Sequence, residues 1–77
     1  MPFHELLSAH ALREARRERI SLDDVEDAYV FPDFVRLSHH DPERGIRSRY
    51  LGDSAIEVVV DTIDGRVVTV WRKHLDR

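Results

Sequence analysis

The chain is expected to fold as an α+β domain in which two N-terminal helices pack on one face of a four-stranded antiparallel sheet, in the order ααββββ. Three observations lead there. Serines stand ahead of two short amphipathic segments near the N-terminus, the second half alternates apolar and polar residues as half-buried strands do, and Asp64-Gly65 separates two β-branched runs.

Ser8 is placed to cap the first helix, because its hydroxyl can accept from a free amide of the first turn, and Leu7 with Leu12 has the spacing of a hydrophobic staple. That helix is predicted from about Ala9 to Glu18. Ala11, Leu12 and Ala15 form its narrow apolar stripe, with His10, Arg13, Glu14 and Arg17 opposite. Arg19 would fall inside the stripe, so the helix should end just before it. Ser21 opens a second helix, roughly Leu22 to Val30, through Ser-Leu-Asp-Asp and a second staple of Ile20 with Val25. Its acids Asp23, Asp24, Glu26 and Asp27 suit a helix N-terminus or a surface for a basic partner.

Pro32-Asp33 stops this helix, and Phe34 to Ser38 alternates as a strand. His39 to Gly45 reads as a loop, Ile46 to Leu51 as a strand, and Gly52-Asp53-Ser54 as a turn into residues 55 to 73, the hairpin that anchors the fold. A two-residue turn at Asp64-Gly65 needs positive φ at both positions, which this pair tolerates. Pairing across it sets Glu57 opposite Arg72, Val58 opposite Trp71, Val60 opposite Thr69 and Thr62 opposite Val67. The predicted core face is therefore Ile56, Val58, Val60, Val67 and Trp71. Glu57, Val59, Asp61, Val68, Val70 and Arg72 fall on the other face.

With 77 residues the chain makes a single domain, 1–77, and buries only roughly 60% of its unfolded surface, so a partner protein or a homodimer would help complete the core. There are no cysteines, which excludes disulfides and thiolate metal sites and agrees with a reducing cytoplasm. The start of the chain has no signal-peptide pattern, and no apolar run approaches the ~20 residues of a membrane span. The formal net charge of −3 gives no general grip on nucleic acid. Residues 41 to 77 balance seven bases against seven acids, which leaves room for a local basic patch.

His10 stands on the polar side of the first helix, where an imidazole that titrates near neutrality can move protons in phosphodiester chemistry. Arg13, Arg16, Arg17 and Arg19, then Arg44, Arg47 and Arg49, then Arg72 and Lys73 form a basic set suited to phosphate. Tyr50 and Trp71 lie beside it in sequence and have rings that can stack on a base, although Trp71 is expected in the core. His39-His40-Asp41 lacks the spacing of a metal site, so no metal or other cofactor is expected.

Several strings in this order resemble a known pattern: Ser8-x-His10-Ala11, Ile20-Ser21-x-x-Asp24-Val25-Glu26, Pro32 before an aromatic strand, Arg49-Tyr50-Leu51-Gly52, Val58-Val59-Val60-Asp61 and Val67-Val68-Thr69-Val70. Together they resemble a group of small bacterial proteins that looks like an outlying branch of the RelE and BrnT type toxins of toxin-antitoxin modules. The resemblance runs from about Leu7 to Lys73. It implies a RelE-like fold and a metal-independent RNA endonuclease, in which the 2′-hydroxyl attacks the neighbouring phosphorus. It also implies His10, Arg49 and Arg72 as catalytic residues, Arg13, Arg17, Tyr50 and Lys73 as RNA-binding residues, and a small antitoxin-like protein as partner. A non-catalytic member of the same fold that binds a protein is the alternative. The related sequences carry Arg four and eight residues after the helix-one His and Gly before the Ile-Ser pair, where this chain has Glu14, Glu18 and Arg19. A carboxylate one turn from His10 would hold the imidazole protonated and repel RNA.

Overall fold

A computed structural model describes residues 2–75; Met1, Asp76 and Arg77, the ends of the expected 1–77 domain, lie outside the described residues. After a 3₁₀ turn, Phe3–Leu6, the order is α1 (Ala9–Arg17), α2 (Leu22–Val30), β1 (Phe34–Leu37), β2 (Arg44–Leu51), β3 (Ser54–Asp61) and β4 (Val67–His74). The strands form one antiparallel meander in the order β1-β2-β3-β4. The ααββββ order, and with it the α+β fold, is as the sequence predicts.

Both helices begin on serine caps. The Ser8 hydroxyl accepts from the Ala11 amide and donates to the Val68 carbonyl, so one side chain starts α1 and ties it to β4. Ser21 accepts from the Asp24 amide. α1 ends one residue earlier than expected, with Glu18 as C-cap and Arg19 at φ 57. The Ile20 amide donates to the Ala15 carbonyl, which closes the helix end over that left-handed residue. Glycine takes this conformation without the Cβ penalty, so Arg19→Gly should raise stability by up to ~1 kcal/mol, read as a higher urea midpoint.

The core lies between the helices and one face of the sheet. Leu7, Ala11, Ala15, Ile20, Val25 and Ala28 meet Ile56, Val58, Val60, Val67 and Val70. α1 packs on β4, and α2 packs on β3 and β2. Among the described residues no helix packs on the opposite face.

The last hairpin departs from the predicted register. Glu57 pairs with Trp71, Val58 with Val70 and Val59 with Thr69, one residue away from the expected pairing. Of Asp64 and Gly65 only Gly65 has positive φ, at 76°, so the two-residue turn does not form. Instead the Asp61 carboxylate accepts from the Ile63 amide, and the Gly65 amide donates to the Asp61 carbonyl, which makes a wider loop. A one-residue shift moves side chains to the other face. Val70 and Arg72 therefore share the helix side with Val58 and Ile56, while Trp71 joins Glu57 on the open side. An irregularity at Val59/Val60 pairs Val60 with Val67 and restores Val67 to the core, as predicted.

β2 also starts earlier than expected. Arg44 and Gly45, read as loop, pair with Asp61 and Val60. The Arg44 amide donates to the Asp41 carbonyl and its guanidinium meets the Asp41 carboxylate at 3.2 Å, which holds the turn into the strand.

Candidate functional site

Strand alternation divides the expected site residues between three places. Arg49 and Arg72 lie on the helix side, in one cross-sheet row on either side of Ile56. Tyr50 and Lys73 lie on the open side, on either side of Ala55. His10, Arg13 and Arg17 belong to α1. Members of each sheet row stand two strands apart, about 10 Å between backbones.

On α1, His10 Nε2 lies 3.9 Å from the Glu14 carboxylate, and Arg17 meets the same carboxylate at 2.6 Å. Glu14 thus occupies the position one turn from His10 that the sequence suggested, and it draws Arg17 toward itself. Arg13 is exposed beside them.

Arg49 and its neighbour Arg47 do something the sequence did not announce. α2 has no basic residue in its last turn. The Arg47 guanidinium donates to the Tyr29 carbonyl at 2.6 Å and lies over the Tyr29 ring, 4.5 Å from its centroid. Arg49 donates to the Phe31 carbonyl at 2.8 Å. The negative end of α2 is thereby met by two cations from the neighbouring strand. Arg72 donates to the Ser54 hydroxyl at 3.4 Å, at the far edge of hydrogen-bonding distance.

The open face carries a network absent from the sequence expectations. Phe34, Ser48, Glu57 and Trp71 form one row across all four strands. Glu57 is buried although no helix covers it. Its Oε2 accepts from Ser48 Oγ at 2.6 Å and from Arg36 Nη1 at 3.1 Å, and its Oε1 accepts from Trp71 Nε1 at 2.9 Å. Burial pushes the Glu57 carboxyl up, but hydrogen bonds from Ser48, Trp71 and Arg36, with the charge of Arg36, outweigh that and hold it below its ordinary range. A carboxylate bound in this way fixes Trp71 and Arg36 across the sheet. A glutamate inside the apolar run Ala55 to Val60 was the available signal, because a charge at the centre of a covered strand needs partners. Which donors supply them depends on the register.

A third feature lies at the β1 edge. Val30, Phe31, Phe34, Val35 and Leu37 are each at least half exposed, between 50% and 67%. They occupy one short stretch of chain, and they account for half of the ten large exposed apolar residues among those described. Among the described residues the helices pack mainly on β2, β3 and β4, and Val35 and Leu37 on the helix side of β1 stay exposed.

Among the described residues no helix is long and apolar enough to cross a membrane. Comparison with known proteins found no matching family model, no matching curated protein and no matching solved structure.

Proposed function

We propose that this chain is a RelE-like protein of the toxin-antitoxin type that works by binding a partner protein at the edge formed by residues 30–37. The observation that carries this is the group of exposed apolar side chains at the end of α2 and on β1: Val30 and Phe31, then Val35 and Leu37 on the helix side of the strand, with Phe34 on its open side. Apolar surface gathered in one place, rather than scattered, is the usual mark of a docking surface. Its position beside an edge strand adds unpaired backbone groups to the attraction. The membership itself rests on the sequence strings that resemble RelE and BrnT type toxins, and the natural partner is then a small antitoxin-like protein.

The test is co-expression with the protein encoded in the adjacent reading frame. Purification through a tag on one chain should recover both in a fixed ratio, and Val35→Lys with Leu37→Lys should abolish recovery while the isolated chain keeps its circular dichroism spectrum. Absence of a complex with the wild-type chain refutes the proposal.

RNA cleavage is the second reading. One observation favours it: Tyr50 and Lys73 share a row of the open face beside Trp71 and Arg36, which gives aromatic rings and cations on a single surface. The expected catalytic His10 belongs to α1 and pairs with Glu14, away from that surface. Growth arrest on expression, lost in His10→Ala, would favour this reading. Harmless expression of folded wild-type protein would remove it.

A further inference from the structure

Resting on the partner-binding reading, we infer that β1 accepts an extended segment of the partner as a fifth strand, and that this segment alternates apolar with basic residues.

The backbone supplies the first part of the argument. The Ser38 amide donates to the Arg44 carbonyl, so in an antiparallel ladder the residues in phase with Ser38, Arg36 and Phe34, turn their amides and carbonyls toward β2. The alternate residues, Val35 and Leu37, turn theirs outward. The chain itself covers only the start of its other sheet edge, and among the described residues no such segment lies along β1. At β4, Leu7 bridges Val67, the Ser8 amide donates to the Val67 carbonyl, and the Ser8 hydroxyl donates to the Val68 carbonyl. The one charge within β1, Arg36, bends onto Glu57 and does not guard the edge.

Side chains then set the alternation. Val35 and Leu37 face the helix side, at 58% and 65% exposure, and Val30 and Phe31, at the C-terminal end of α2, are exposed as well. An added strand would place every second residue against this apolar step.

Charge sets the rest. Asp23, Glu26 and Asp27 are exposed on the same side of α2 as Val30, by their spacing of three, four and seven residues. Among the described residues, no ion pair involves them. Arg47 and Arg49, on the strand beside α2, are turned to the carbonyls of Tyr29 and Phe31 rather than to these acids. A second copy of this chain, also at −3, would bring acid to acid. A basic segment has the complementary sign.

The probe is a capped nine-residue peptide of alternating Val and Lys, with an alternating Val and Glu peptide of the same length as control, each added to isotope-labelled protein. The Val-Lys peptide should slow hydrogen exchange at the Val35 and Leu37 amides and bind roughly tenfold more tightly than the control, as expected for a few exposed ion pairs. Asp23→Lys with Asp27→Lys should abolish or reverse that preference. Protection elsewhere, no protection, or equal binding of both peptides would overturn the inference. So would amides of β1 protected without peptide in proportion to protein concentration, since a homodimer would then own the edge. If the adjacent-frame protein binds but leaves Val35 and Leu37 exchanging, strand addition fails while partner binding stands. If it does not bind at all, the broader reading fails.

Discussion

Glu57→Ala should lower the unfolding free energy by about 3 kcal/mol, a large share of the roughly 4–12 kcal/mol expected for a domain of this size. The carboxylate is only 3% exposed and accepts from Ser48, Trp71 and Arg36. Its removal leaves the Ser48 hydroxyl and the Trp71 indole short of a partner beneath their neighbours, while Arg36, about one-third exposed, can turn to water. Glu57→Gln keeps the shape and one acceptor, so it should cost about half as much. The two variants also differ from wild type in acid. The folded-state pKa of Glu57 is depressed, so as pH falls the unfolded chain takes up the proton first. The stabilisation is thus fully present above the ordinary value of 4.5 and is lost as pH falls from there through the folded value. Urea titrations at neutral pH and in mild acid, followed by the single tryptophan, Trp71, measure both effects. Glu57→Gln should lack the part of the acid loss that Glu57 contributes. A variant as stable as wild type at neutral pH would show that the network adds nothing to folding.

Ile56→Ala is the second change with a large expected cost, about 3 kcal/mol. Ile56 is fully buried on the helix side of β3, between Arg49 and Arg72. Truncation removes packed methyl groups and leaves a cavity that a small sheet with neighbouring strands on both sides cannot close. Ile56→Val, which keeps the branch at Cβ, should cost about 1 kcal/mol. The urea midpoint should fall in both with little change in slope, because the folded state stays compact. A loss below about 1 kcal/mol for Ile56→Ala would mean that this row is not sealed by the helices.

The chain's local signals were short-range and could be read directly. Ser8 and Ser21 each satisfy an amide three residues ahead, Pro32 interrupts the second helix, and the alternation in residues 46–51 and 55–60 belongs to the strands themselves. Those interactions need only neighbours in sequence, and they sufficed for the element order and the fold class. Trp71 could not be placed in this way. Its face depends on the pairing across the last loop, where the Asp61 carboxylate captures nearby amides and Gly65 alone takes positive φ, so one residue of register separates a core tryptophan from one on the open face. The roles of Arg47 and Arg49 were equally hidden, because the carbonyls they meet lie 18 residues away in sequence. Propensity, capping and periodicity act over a few residues and set the elements. Which donors reach Glu57, which cations close α2 and which edge stays bare follow from how those elements stack, since each joins groups that only the folded chain brings together.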